Sequence, residues 1–307
     1  MAAAALAATI LMAAAVTSAG PALLPAHYAE SVAVYALSAN GGAEVRFRLA
    51  RQPATGRGTL WMSMMVGGEH YALVDPAIEL GPSATATPLT AAAAVFRVAD
   101  EEAIEVAARD RQGDSMTGRV TVAAAMHATR HPPVGGGAIP ITLEVDFAAA
   151  HAVQSPRPGR REVFGTARWR VTTPAAVFEG QGPAKWHEQS GPRPAFAPAF
   201  TYIWGAAPGI GLLARGGAGD DWGFVVEEGA VTAVDELIID PFGADARQFT
   251  VRLADGRTVA GTATILRDSS VPIEGGRRPS ATVQVDTALG TLIGHLNDWQ
   301  PPQNADE

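Results

Sequence analysis

From Ser31 onward the chain alternates apolar and polar residues in short runs. In Glu44–Leu49, Val45, Phe47 and Leu49 fall on one side and Glu44, Arg46 and Arg48 on the other, the period-two pattern of a strand with one buried face. Ser31–Leu37 reads the same way, and Asn40-Gly41 between the two runs marks a hairpin. Leu60–Val66 and Glu69–Val74 flank Gly67-Gly68, a second hairpin. Val95–Val98, Ile104–Ala107, Arg119–His127, Ile139–Phe147 and Val163–Thr172 continue the series. Gly211–Arg215, Trp222–Glu227, Val231–Ile238, Gln248–Leu253, Thr258–Leu266, Thr282–Asp286 and Thr291–His295 complete it, with Asp255-Gly256 as a further hairpin signal. Short strands separated by Gly, Pro, Asn and Asp turns, with no long amphipathic helix, predict an all-β protein of antiparallel sandwiches or barrels.

The Pro/Gly/Arg segment at residues 154–160 interrupts this series and reads as a linker, which divides the chain into halves at 28–153 and 161–300, with a tail at 301–307. Residues 1–27 form a separate N-terminal segment. Its uncharged run, residues 2–16, and the small residues Thr17-Ser18-Ala19 look like a secretory signal without its basic start. An ordered or frayed segment, or a short membrane anchor, fits the same residues, so a cytoplasmic and a periplasmic or secreted location both stay open.

Composition narrows the function classes. A formal net charge of −8 leaves no basic stripe to replace phosphate counterions, which argues against nucleic acid and against anionic lipid surfaces. With no cysteine, thiol nucleophiles, disulfides and Cys-ligated zinc are excluded. The seven His form no H-E-x-x-H motif, and no G-x-S-x-G elbow or dinucleotide fingerprint is present, so the reading calls for neither metal nor cofactor. Oligomeric state is left open.

Rare chemical groups concentrate between Gly180 and Gly205: Trp186, His187, Glu188, Gln189, Arg193, Tyr202 and Trp204. Bracketing glycines and prolines predict a loop, and loops on rigid scaffolds carry sites. Gly180-Gln181-Gly182 precedes Lys185-Trp186-His187-Glu188-Gln189 and Gly191, and Tyr202-Ile203-Trp204-Gly205 follows. Together with the strand ending in Val177-Phe178-Glu179-Gly180 and the later Asp255-Gly256-Arg257 hairpin, this layout resembles the carotenoid 1,2-hydratase (hydroxyneurosporene synthase) superfamily. His187-Glu188 stands where its members often carry an Asp/His pair. The resemblance implies two lipocalin-like antiparallel β-barrel halves packed together, in a group that includes terpenoid hydratases and cofactor-free cyclases of the Diels–Alder type.

If the loop lines an apolar pocket between the halves, His187 and Glu188 are candidates to give and take a proton, with Asp221 of the Asp220-Asp221 pair as a third catalytic candidate. Trp186, Tyr202, Trp204 and Trp222 would steady a developing carbocation, and Arg193, Trp61 and Met64 are candidate substrate contacts. The expected function is a cofactor-independent hydratase, isomerase or cyclase acting at a C=C bond of a hydrophobic, terpenoid-like small molecule. The alternative is a non-catalytic binding protein for the same ligand class. The bland reading also stands: neighbouring residues on an extended segment face opposite ways, so His187 and Glu188 share a pocket only if a turn intervenes, and the aromatics can simply be packing.

Overall fold

The computed structural model describes residues 28–52, 55–79, 94–98, 102–109, 116–192, 199–217, 219–273 and 276–300. Residues 1–27, Arg193 and the tail lie outside them. Among the described residues there is no helix. The first sheet is built from β1 (Tyr28–Leu37), β2 (Glu44–Gln52), β3 (Arg57–Val66), β4 (Glu69–Glu79), β5 (Ala94–Val98), β6 (Glu102–Arg109), β7 (Thr117–Met126), β8 (Ile139–Ala149), β9 (Arg160–Thr172) and β10 (Val177–Pro192). Its strands lie in the order β4-β3-β2-β1-β10-β9-β8-β7-β6-β5. Bridges from Ala72 to His127 and from Val74 to Gly135 tie β4 to the chain just after β7, so the strands from β4 to β7 curl into a barrel and β6–β5 extend beyond it.

The second unit is a closed barrel of β11 (Phe200–Ala207), β12 (Ile210–Gly216), β13 (Trp222–Glu227), β14 (Ala230–Ile239), β15 (Ala246–Leu253), β16 (Thr258–Ile273), β17 (Gly276–Thr287) and β18 (Gly290–Trp299). It is closed by β11 pairing with β18. Each strand follows its sequence neighbour, the up-and-down arrangement that removes free edges. The fold is all-β in two lipocalin-like halves, as the alternation and the resemblance led one to expect.

The changeover between the halves does not fall at 154–160. β9 pairs with β8, and β10 pairs with both β9 and β1, so both strands belong to the first sheet and the chain leaves it only after β10. Turn residues mark a reversal, but they do not reveal whether the strands they join lie in one sheet or two. Residues 154–160 are a reversal within the first sheet, where Gln154 bridges Glu162.

The segment expected as a loop is also largely strand. Glycine in a strand interior often marks a close approach, and here it does. A Cβ on Gly180 would lie 2.1 Å from the Trp169 ring, and one on Gly182 would lie 2.2 Å from the Leu37 carbonyl oxygen. These glycines let neighbouring groups close over β10 instead of turning it.

Three apolar clusters result. One fills the first unit with Val34, Phe47, Met62, Val120, Leu143 and Trp186 among others. A second fills the barrel with Ile203, Leu212, Val225, Phe249, Val283 and Leu292. The third joins the two units: Leu37 and Phe164 of the first meet Tyr202, Trp204, Leu213 and Phe224 of the second. Alternation supplies both sides. On β1, Val32, Val34 and Ala36 point into the first unit while Tyr35 and Leu37 join the interface cluster; on β11, Ile203 points into the barrel while Tyr202 and Trp204 point out of it. Because the Leu37 backbone cannot retreat from a new methyl group, Gly182→Ala is expected to destabilise the fold by about 2 kcal/mol or more. Urea denaturation measures this, and an unchanged midpoint would show that β10 does not pack as described.

Candidate active site between the two units

Antiparallel register sets the wall that the first unit turns toward the barrel. Tyr35 is opposite Lys185 and Arg46, Ala33 opposite His187 and Arg48, and His187 opposite Glu162. Arg46 and Arg48 pair in turn with Ser63 and Trp61 of β3. Period-two alternation therefore places Trp61, Ser63, Arg46, Arg48, Tyr35, Lys185, His187, Glu162 and Arg160 on one face. The barrel answers with Tyr202, Trp204, Arg215, Trp222, Arg278 and His295.

Glu162 is the centre of this wall and has no solvent exposure. Its carboxylate accepts from Lys185 Nζ at 2.8 Å, Arg160 Nε at 2.6 Å, His187 Nδ1 at 2.9 Å and the Tyr202 hydroxyl at 3.2 Å. The Tyr202 oxygen accepts in turn from Lys185 Nζ at 2.5 Å and Arg160 Nη2 at 3.3 Å. Burial alone would lift the Glu162 carboxyl, but Lys185, Arg160 and His187 outweigh it and hold the group well below the ordinary carboxylate range. Burial alone would likewise neutralise Lys185, yet Glu162 and the two tyrosines raise it, so it stays an ammonium. Burial and then Glu162 push the Tyr202 phenol up, so it keeps its proton.

His187 is driven the other way. Burial pushes its imidazole well below the usual value, and Arg160 and Lys185 add to this against Glu162. The ring is neutral. A carboxylate only accepts, so Nδ1 carries the proton and Nε2 keeps a lone pair. A carboxylate that fixes the tautomer and orientation of a histidine is a recurring way of preparing a base.

A cavity of about 170 Å³ opens on this cluster, lined by Lys185, His187, Tyr202, Trp222, Arg160 and Tyr35 among others. A smaller one of about 50 Å³ lies beside it, lined by Trp61, Phe47, Met62, Leu73, His295 and Arg46 among others. Tyr35, Arg48 and Arg278 line both and form a waist between them. Arg48 lies 4.5 Å from the Trp61 ring centre and Arg278 lies 5.7 Å from it. In the smaller cavity Arg46 donates to His295 Nε2 at 2.6 Å and to the Ser63 and Ser269 hydroxyls at 2.8 Å each, and pairs with Glu44 at 3.1 Å. Arginine only donates, so His295 accepts through Nε2, and burial with Arg46 and Arg278 holds it neutral.

The sequence-chosen residues divide between this cleft and other places. His187, Tyr202, Trp222 and Trp61 line the cavities, and Trp204 packs beside them, 5.9 Å from Tyr35 and 6.3 Å from Phe164. Trp186 and Met64 are in the first unit's core. Glu188 follows the Trp186 face of β10, accepting from its indole at 3.3 Å and facing Arg161 at 3.7 Å, so it cannot act with His187 on one substrate. No turn intervenes in the strand. Asp221 accepts from the backbone N–H of Gly217 at 3.0 Å and of Leu237 at 2.9 Å, a loop-fastening role. Arg193 lies outside the described residues. The larger cavity is not apolar as expected, being walled by arginines and a lysine, while the smaller one keeps an apolar lining of Trp61, Phe47, Met62 and Leu73.

The residues missed were Glu162, Lys185, Arg160, Tyr35, Arg48 and Arg278. Lys185 was visible two residues before His187, on the same strand face. Among the described residues no group of three or more His, Asp or Glu side chains is placed to hold a metal ion.

The buried ionic cluster ties stability to pH. Removing the Glu162 counter-ion by Lys185→Met is expected to cost about 3–5 kcal/mol in urea denaturation, because a buried charge loses a partner. His187, His295 and His70 all titrate below the usual imidazole value when folded, His70 at about 4, with burial the leading cause in each. The unfolded chain thus binds more protons below about pH 6.5. Stability should be full above that pH and fall as pH drops toward 4, with Glu162 adding to the loss at the acid end. Urea midpoints that stay level from pH 7 to pH 5 would contradict this assignment.

No protein-family model and no curated protein matches the chain by sequence. Solved structures do match by shape. CghA bound to Sch210972 aligns with a TM-score of 0.55 at 9% identity, covering 90% of this chain and 89% of that one. Kievitone hydratase from Nectria haematococca aligns at 0.52 and 8% identity, covering 89% of each chain. A candidate ATTH from Nitrosomonas europaea aligns at 0.57 and 11% identity, covering 89% of this chain and 92% of that one. The chain therefore has the lipocalin-like fold of these proteins, over about 90% of its length.

Proposed function

We propose that this chain is a cofactor-independent enzyme that moves protons at a C=C bond, or at the carbon beside a carbonyl, in a small molecule with an apolar, terpenoid-like body. The observation that carries the reading is the placement of His187 and Tyr202 on one cavity, both anchored to the buried Glu162. His187 Nε2 supplies a lone pair to take a proton from carbon. On substrate binding the Tyr202 O–H turns from Glu162 to the substrate oxygen on which negative charge then develops, while Lys185 and Arg160 go on donating to the phenol oxygen. That oxyanion offsets the Arg160 and Lys185 charge that adds to burial in keeping the imidazole's proton affinity low, so base and acid strengthen each other as the reaction proceeds.

From the enolate two outcomes balance. The imidazolium returns its proton to a different carbon, which is isomerisation. Alternatively, a hydroxyl on the β-carbon leaves with a proton as water, which is dehydration and, in reverse, hydration. The aromatic walls from Trp61, Trp204 and Trp222 suit an apolar body. The CghA and kievitone hydratase structures support the reading only by showing this fold around a bound small molecule and in a named hydratase, since fold alone does not determine chemistry.

The test is deuterium incorporation. Unsaturated terpenoid carbonyl compounds such as carvone and citral are incubated with the protein in heavy water and followed by mass spectrometry, which also reads gain or loss of water. The expected result is protein-dependent exchange at the carbons α or γ to the carbonyl, reduced at least ~100-fold in His187→Asn and Tyr202→Phe. Binding without exchange or water transfer in the native chain would favour the non-catalytic binding protein instead.

A further inference from the structure

The charge of the cleft is out of balance with its carboxylates and with the chain as a whole. Among the described residues, Arg160 and Lys185 share Glu162, and Arg157 and Arg215 share Asp220 at 2.8 Å and 3.2 Å. Arg46 has Glu44. Arg278 directs Nε and Nη2 to the Asn297 amide oxygen, a neutral acceptor, at 3.0 Å and 2.8 Å. Arg48 adds a further guanidinium on the Trp61 face. Positive charge therefore exceeds negative charge in the cleft of a protein whose formal net charge is −8.

Orphaned donors on the cavity walls point the same way. Arg46 Nε, His295 Nδ1 and Trp222 Nε1 are buried without a hydrogen-bond acceptor among the described residues. All three are donors on side chains that line the two cavities. Buried donors without acceptors are costly, and a cleft that collects them is complementary to a ligand rich in acceptors. Low-dielectric walls concentrate the field of such a cleft.

We infer that the cleft takes a ligand with a carboxylate, its anionic oxygens seated at the waist between Arg48 and Arg278, beside Tyr35 and Trp61. This rests on reading the cleft as the substrate site and narrows the substrate class to organic acids with an apolar body. Guanidinium forks match a planar carboxylate, and the indole that both arginines approach keeps them beside an apolar surface. The convergence of Arg278, Lys185, Arg48 and Arg46 on Tyr35, strong enough to lower its phenol against the effect of burial, fits the same picture.

Isothermal titration of the full chain with 4-phenylbutyrate, 4-phenylbutanol and 4-phenylbutylamine tests it. The acid is expected to bind at least tenfold more tightly than the alcohol, the amine least, and the acid's advantage should shrink as salt is raised. Arg278→Met should abolish the preference for acid over alcohol, and Arg278→Lys should keep part of it. His187→Asn, which removes the proposed base, should leave the preference intact. A preference that survives while the native chain catalyses no proton exchange upholds the anion site and defeats only the catalytic reading. Equal binding of acid and alcohol overturns the inference, as does an undiminished preference in an Arg278→Met chain whose circular dichroism and urea midpoint match the native ones. Should that variant fail to fold, the salt dependence and the shift of the Trp61 indole N–H resonance on adding acid decide it in the native chain. No salt dependence and no shift overturn the assignment.

Discussion

A carboxylate with no access to water joins the two halves of this molecule. Glu162 belongs to the first sheet and reaches the Tyr202 hydroxyl of the barrel, while Lys185 and Arg160 of the first sheet contact the same hydroxyl. Taking these charges out of water is expensive, and the cost is repaid only because every partner is close and well directed. An apolar contact of the same size would hold the halves together as well. What the ionic cluster adds is a fixed arrangement: one neutral imidazole of defined tautomer, one protonated phenol and one ammonium, facing a common space.

That arrangement explains why the cleft is polar in a fold whose units are filled by aliphatic and aromatic side chains. The apolar interface cluster of Leu37, Phe164, Trp204 and Phe224 closes the remainder of the contact, and the cavities occur where cations replace it. Tyr35, Arg48 and Arg278 border both spaces, so the aromatic side of the cleft and its acid–base side are continuous in lining. A substrate with an apolar body and an oxygen-bearing end suits such a division.

Much of the fold was legible because alternation is a local signal. Val45/Phe47/Leu49 against Arg46/Arg48 announces a strand, and the structure contains it. What alternation does not announce is what covers the outer face. Arg168 and Arg170 on β9 show the same pattern and are exposed, whereas Arg46 and Arg48 lie under the barrel and are buried. The difference comes from which strands face the second unit, a long-range fact. The concentration of Trp, His and Tyr found the right region, and Tyr202 and His187 are in the cleft. With β10 a strand, Trp186 and Glu188 face away from His187, as the extended alternative required. Glu162 sits in an Arg160-Arg161-Glu162 run that looks like an ordinary solvated charge cluster, and only its pairing opposite His187 reveals its role.

The most direct measurement is ¹⁵N NMR of the His187 ring at neutral pH, in the native chain and in Glu162→Gln. The expected spectrum has a protonated Nδ1 and an unprotonated Nε2 in the native chain, and a mixture of tautomers once the carboxylate is gone. A doubly protonated ring at neutral pH, or a proton on Nε2 in the native chain, would contradict the account.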